Sequence, residues 1–453
     1  MQSIIAAYLC LAVSVPILEA QECRPVYQGT LSVADGGEAP AFGSDVVLTD
    51  DEAFVGAQAA VIDGVQSGAV YIYALVGGAW EWVGRIVPPD ARDGQLFGTW
   101  ISVDGDTMMI GSPHDDEMGE RSGSVYVYER HDGDWGFVQK LLPSVGKELG
   151  AFGYVFHRGG MAVIGAAAKI YGDIEGAAYV FEYDGDEWVE TQRLTASDGG
   201  PGEVFGLSPV FDDDWLMMGA PFARNELSVP NGACYVFRRQ NGAWVETQVL
   251  EPDVFDFGHT FGFDLALEGG RLLVGDPDAA QHQGEVVAYE LDAGVWKQAQ
   301  VIMPEIDGLM GFGNQLAMDG STLLIGAPDS GMNAGAAGMY SLVEGDWVYI
   351  NTVVHAPSDG LSLFGAMLDI NAQTMMIAAP LDDVDAGSVY VYRLVCEGCY
   401  ADLNGDGAMN AADVGVFMAA FDAGSLIADF TLDGELDFFD ASAFLVAFNA
   451  GCP

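Results

Sequence analysis

A Phe-Gly pair recurs seven times along this chain, beginning at Phe42, Phe97, Phe152, Phe205, Phe261, Phe312 and Phe364. Successive copies lie 55, 55, 53, 56, 51 and 52 residues apart. A period of that size restricts the chain to folds that stack one supersecondary unit on the next, because a single unit cannot bury its own apolar face. Each pair is followed by an alternating stretch, often an Asp/Gly turn, and an apolar run that typically ends in Gly-Ala/Ser/Asp-Pro. Met108 to Pro113 and Leu323 to Pro328 are examples. A variable loop then leads to Gly-x-Val-Tyr-Val-Tyr, as in Gly123 to Tyr128 and Gly387 to Tyr392. A short Asp/Gly/Asn turn precedes a Trp at Trp80, Trp135, Trp188, Trp244, Trp296 and Trp347.

Each unit therefore holds four runs rich in β-branched and aromatic residues, separated by turn chemistry. Asp132-Gly133, Asp184-Gly185 and Asn241-Gly242 fall between the third and fourth runs, where a tight hairpin needs residues tolerant of positive φ. Seven units of four antiparallel strands predict an all-β fold, a seven-bladed β-propeller of four-stranded blades over residues 21–396. The competing reading is an all-β solenoid of another kind. Runs of Val, Ile and Met ending in Gly suit strands buried on both faces, with the Gly allowing close backbone approach.

The seventh unit lacks its fourth strand with Trp. Val26 to Gly37 resembles Val189 to Gly200, so the N-terminal strand, residues 24–34, is expected to complete the last blade and close the ring. The hairpin turn of an intact unit is cut there, with Cys396 on one side and Cys23 on the other. A Cys23–Cys396 disulfide would replace that turn. Cys234, inside a third strand, reads as a buried free thiol.

The Phe-Gly … Gly-Ala-Pro pattern over about residues 24–395 resembles the FG-GAP repeat family, best known from the propeller heads of integrin α chains. The resemblance implies a propeller acting as a recognition scaffold. One departure is plain. Integrin-type calcium blades carry a DxDxDG loop between the first two strands, and here that link is a short turn such as Asp104-Gly105-Asp106 or Asp319-Gly320. No calcium is expected in the blades. Asp115, Asp116, Asp278, Asp329, Asp382, Asp383 and Asp385, after the Gly-x-Pro corners, are expected to be solvated loop charges.

From Asp402 the chain changes character. Asp402, Asn404, Asp406, Asn410 and Asp413 occupy positions 1, 3, 5, 9 and 12 of a loop with Gly407 at position 6, and the Ala408 carbonyl falls at position 7. Hard oxygen donors at this spacing suit Ca²⁺. A second copy follows 27 residues on, with Asp429, Thr431, Asp433, the Glu435 carbonyl, Asp437 and Asp440. Thr is the poorer donor, so calcium is expected at two sites with the first the stronger. Phe417 and Phe421, and then Phe444 and Phe448, give each following helix one apolar face, with Gly424 and Gly451 as stops. With no helix evident before the first loop, residues 399–453 resemble a type I dockerin, a small α-helical relative of the EF-hand, rather than a full EF-hand. That resemblance implies a cohesin-like or cell-surface protein as partner. Val414, Met418, Ala441 and Leu445 could form the docking surface or pack internally. Cys399 and Cys452 flank this module, and a Cys399–Cys452 disulfide would clasp its ends. A Cys396-x-x-Cys399 redox or zinc motif is the alternative for that pair.

Sixteen basic residues against 67 acidic ones give a formal charge of −51, which excludes nucleic acid and anionic membrane surfaces as partners. Residues 1–20 read as a signal peptide, and no other run is long and apolar enough for a membrane span. A secreted or cell-surface monomer follows, with two disulfides suiting that compartment. The sequence contains no GxSxG, Walker A, HExxH or strand-borne GxGxxG motif. The expectation is thus a non-enzymatic recognition protein for a protein or glycan. The alternative is a carbohydrate-active hydrolase or lyase acting on polysaccharide through the propeller.

Overall fold

The computed structural model describes residues 24–33, 38–146, 148–167, 175–224, 229–252, 258–306, 308–330, 334–354, 362–382, 386–395, 401, 403, 410–431 and 436–450. Residues 1–20 and Cys23, Cys396, Cys399 and Cys452 lie outside this set, as do Asp383 and Asp385.

Seven four-stranded antiparallel sheets form a β-propeller. Blade one runs from Phe42 to Ile86 and blade two from Ile101 to Leu141, with the others following in chain order. The first strands touch one another in sequence around a closed circle, so they line the axis, and the fourth strands lie outermost. Second strands such as Met161–Ala166 are buried at every residue, sandwiched between blades. Fourth strands such as Ala79–Ile86 are mostly exposed or half-exposed.

Blade seven is assembled from both ends of the chain. Arg24–Leu31 pairs antiparallel with Ser388–Val395, from Arg24 opposite Val395 to Leu31 opposite Val389. The register shifts between Tyr27 and Gly29. Every other blade has the same irregularity between its third and fourth strands, for example beside Val180 and Phe181. The split strand therefore repeats the others down to its bulge. The ring closes where the Phe42 N–H donates to the Ala386 carbonyl at 3.1 Å, as Phe97 does to Ser67 at 2.9 Å.

The geometry explains the repeated motif. The seven Phe side chains are 0–3% exposed, each wedged between blades. Each meets a third-strand Tyr edge to face, as Phe97 meets Tyr126 with centroids 5.3 Å apart. Burying one such ring contributes about 1.5–3 kcal/mol. The Gly of the Gly-x-Pro corner packs on the next blade's Phe-Gly turn. A Cβ on Gly111 would fall on the Gly153 carbonyl, and one on Gly219 on the Gly262 carbonyl. The two halves of the motif thus meet across blade boundaries.

A second device joins the outer strands. Gln139, Gln192, Gln248 and Gln300 each reach the following blade, donating from Nε2 to the carbonyl of Trp188, Trp244, Trp296 and Trp347 at 2.7–2.9 Å. The same four Trp N–H groups donate back to Oε1.

Near the axis, Asp45 accepts from Ile101 N–H of blade two at 2.6 Å, Asp264 from Leu316 N–H at 2.8 Å, and Asp369 from Leu48 N–H at 2.7 Å. Burial pushes these carboxyls up, Asp45 to about 8 and Asp264 and Asp369 to about 7. Cys234 is a buried free thiol, raised to about 12 by burial.

Two helices follow, Ala411–Asp422 and Phe438–Ala450. Their Phe417 and Phe444 rings stack at 4.2 Å, with Phe430 against both. Leu426, Ile427 and Phe430 lie in the connection between the helices. Leu426 packs on the blade-seven side of the propeller, and Ile427, Asp429 and Phe430 face Arg24 to Tyr27 of the N-terminal strand across a small cavity. No helix among the described residues is long and apolar enough to cross a membrane.

Candidate functional site

Of the expected calcium ligands, Asn410, Asp413, Asp429, Thr431, Asp437 and Asp440 are described. Asp402, Asn404, Asp406, Ala408, Asp433 and Glu435 lie outside the described residues. Asn410 caps the first helix through its side chain, which accepts from Ala412 N–H at 2.8 Å, while Asp413 accepts from Asn410 N–H at 2.8 Å. The second half repeats this. Asp437 accepts from Phe439 N–H at 2.6 Å, and Asp440 from Asp437 N–H at 2.8 Å. Positions 9 and 12 thus act as helix caps in both copies. Asp413 and Asp440 are fully buried and Asp429 is 8% exposed.

In the second copy three donors come together. The Thr431 hydroxyl lies 2.9 Å from Asp440 Oδ1 and 3.4 Å from Asp429 Oδ1. Buried carboxylates around a hydroxyl form a donor set that fits Ca²⁺, which takes oxygen ligands only. Around this module Met418, Phe438, Phe439, Leu445 and Val446 are 50–78% exposed. Val414 and Ala441 instead pack into the core of the module. Of the four surface candidates, therefore, only Met418 and Leu445 face out.

The propeller corrects one expectation. Asp115 and Asp382 are not solvated loop charges, being 0% and 6% exposed. Asp115 takes bonds from Ser124 at 2.8 Å and Tyr126 at 2.9 Å, and Asp382 takes one from Tyr390 at 2.5 Å. Lys140 Nζ sits 2.6–2.7 Å from Asp90, Asp115 and Glu117 together, and Arg92 adds a further contact to Asp115. Burial alone would push Asp115 up, but the Lys140 and Ser124 bonds outweigh it and hold the carboxyl below its usual range. The Tyr at the position of Tyr126 and Tyr390 recurs in five of the seven repeats, also as Tyr71, Tyr179 and Tyr235, and it is the signal that could have flagged these carboxylates. Asp116 and Asp329 are exposed, and Asp278 is intermediate.

Residues 80–128 and 188–237 match the FG-GAP repeat family. No curated protein matches the chain. Among solved structures it is similar to a protein from Bacteroides uniformis ATCC 8492 labelled as a 6-phosphogluconolactonase. The identity is 13% and the TM-score 0.52, covering 76% of this chain and 92% of that one. A second, from Bacteroides fragilis NCTC 9343 with the same label, has 13% identity and a TM-score of 0.45, covering 68% of this chain and 83% of that one. At such identity the first likeness is one of fold. The chain is a β-propeller protein in which two segments match the FG-GAP repeat.

Proposed function

We propose that the protein is a secreted or cell-surface recognition scaffold without catalytic activity. The propeller presents a binding surface to a protein or glycan, and the C-terminal dockerin-like module docks to a cohesin-like or other cell-surface protein when calcium is bound. The observation that carries this reading is the pairing of two features in that module. Asp429, Thr431 and Asp440 converge as hard oxygen donors, and the helix starting at Phe438 leaves Phe438, Phe439, Leu445 and Val446 in solvent. Exposed apolar groups on a small module mark an interaction surface. Calcium would fix the loops and so the relative orientation of the two helices, through Asp402, Asn404, Asp406, Ala408, Asn410 and Asp413 in one loop and Asp429, Thr431, Asp433, Glu435, Asp437 and Asp440 in the other.

The enzymatic alternative is disfavoured by what surrounds the perturbed carboxylates. Asp45 and Asp369 each have both oxygens engaged by backbone N–H groups, which suits blade fastening rather than proton transfer to a substrate. The test is a pull-down with the full chain as bait, with and without a calcium chelator. Capture of a partner that is lost on chelation and lost with Phe439→Asp supports the reading. Turnover of a polysaccharide by the full chain overturns it.

A further inference from the structure

The sevenfold repeat supplies an internal control for any residue that departs from it. The last residue of each second strand pairs directly with the first residue after the Gly that opens the third strand. In blades one to four these pairs are Ala57 with Ala69, Ser112 with Ser124, Ala166 with Ala177, and Ala220 with Ala233. In blades six and seven they are Ala327 with Ala336 and Ala379 with Ser388. In blade five the pair is Asp276 with Glu285. Two carboxylates directly opposite on a sheet repel each other, and Asp276 is fully buried.

A third group completes the cluster. His259 is 9% exposed and lies two residues before the Phe-Gly pair of the same blade, with Nδ1 2.6 Å from Asp276 Oδ2. Thr260 N–H donates to Asp276 Oδ1 at 2.8 Å. One donor atom from each of His259, Asp276 and Glu285 lies within 4.8 Å of the others. Burial and the Asp276 charge together push Glu285 up. Blade two provides the contrast. Its cluster of Asp90, Asp115 and Glu117 is equally tight, but Lys140 Nζ sits among them as a built-in cation. The position matching Lys140 in blade five is Val301, and among the described residues no Lys or Arg forms an ion pair with Asp276 or Glu285.

We infer that His259, Asp276 and Glu285 form a binding site for one divalent transition-metal ion of the Zn²⁺ or Mn²⁺ class. A single imidazole with two carboxylates is the mixed N/O donor set such ions accept, whereas Ca²⁺ favours oxygen alone. The ion takes the place of the proton held between His259 and Asp276 and neutralises the opposed pair. Three protein ligands leave coordination positions for water or for an anionic group of a bound partner. This site is separate from the C-terminal loops and does not depend on their reading.

The test is a Zn²⁺ titration of the full chain by calorimetry in excess Ca²⁺, paired with thermal melting. The expected result is one more Zn²⁺ per chain in the wild type than in Asp276→Ala/Glu285→Ala, with Zn²⁺ raising the melting temperature of the wild type only. Alanine at both positions is what blades one, three, four and six already carry, so the variant should fold. Should it not, Glu285→Gln keeps the shape and is expected to weaken Zn²⁺ binding at least tenfold. Equal stoichiometry and equal thermal response in wild type and variant, or no Zn²⁺ bound by the wild type, overturns the inference.

Discussion

The side-chain amide of Gln192 holds both backbone polar atoms of Trp244 in the next blade, donating to its carbonyl at 2.7 Å and accepting from its N–H at 2.8 Å. This one residue replaces the hydrogen bonds that a neighbouring strand would have supplied. Trp188, Trp244, Trp296 and Trp347, which are gripped in this way, are 2–5% exposed. Trp80 and Trp135 are more exposed, and the matching positions in the preceding blades are Gly29 and Gly84.

Gln192→Ala therefore strands two backbone groups and is expected to destabilise by about 1–3 kcal/mol. The converse change is Gly84→Gln. It has open space around its Cβ and no positive φ, and should stabilise by about 1 kcal/mol by supplying the missing grip on Trp135 and removing a strand glycine. Denaturant melts of both variants read this directly. A Gly84→Gln protein no more stable than wild type would show that the amide alone is insufficient.

Gly219→Ala places a methyl against the Gly262 carbonyl, a backbone atom that cannot swing away. The expected loss is about 1–3 kcal/mol from overpacking. Gly84→Ala, with nothing near the new methyl, is the control. Comparable melting temperatures for the two would show that the blade contact is soft.

Lys140→Met leaves Asp115 buried beside Asp90 and Glu117 with their shared cation gone. Arg92 still pairs with Asp115 and the other two carboxyls are half-exposed, so the expected loss is about 1–3 kcal/mol, below that for a buried charge left with no partner, and the geometry left behind is a carboxylate triad. Millimolar Ca²⁺ or Mn²⁺ should therefore restore part of the lost stability in this variant and little in the wild type. Thermal melts with and without the ion decide it.

Asp45 gives a pH prediction with a definite sign. Its folded value of about 8 lies well above the ordinary carboxyl value near 3.9. Between those values the folded state holds a proton that the unfolded state has released, so the Asp45 contribution is fully present below about pH 4 and is lost as pH rises toward about 8. His157, lowered to about 4 by burial, works in the opposite sense as pH falls below its ordinary value near 6.5. The wild-type profile therefore mixes the two. The difference between Asp45→Asn and wild type isolates the carboxyl, and the variant should gain on the wild type steadily from about pH 4 to about pH 8. A difference that stays flat over that range would mean the two backbone donors keep Asp45 ionised.

In the C-terminal module, Asp440→Ala removes the residue that both caps the helix and meets Thr431. Full-chain calorimetry is expected to find two Ca²⁺ in the wild type and one fewer in the variant. Two in both would disconnect Asp440 from calcium.

What the sequence made legible was whatever repeats or stays local. Seven Phe-Gly pairs and the likeness of Val26–Gly37 to Val189–Gly200 lead to the ring and to the strand that closes it. The capping pairs Asn410/Asp413 and Asp437/Asp440 lie within one turn of each other and are visible as spacing. The hidden features depend on rotation from one blade to the next. Gln192 meets a partner 52 residues away, and its recurrence at Gln139, Gln248 and Gln300 was the clue, overshadowed by the Trp it serves. Asp115 reads as a loop charge until Lys140, on another strand, is seen beside it. His259, Asp276 and Glu285 come from three separate segments, and only alignment of the blades reveals Asp276 and Glu285 as departures.

Blade seven is also the one place where the ring is held without a hairpin. The connection between the C-terminal helices lies against this same blade, beside the first residues of the N-terminal strand. A tether acting through the C-terminus would therefore deliver its load to the seam between Arg24–Leu31 and Ser388–Val395. With Cys23 and Cys396 unbonded, that seam would give first, by sliding of two antiparallel strands, while the six hairpin-joined blades stayed intact. The mechanical strength of the whole ring is then the strength of that single strand pair.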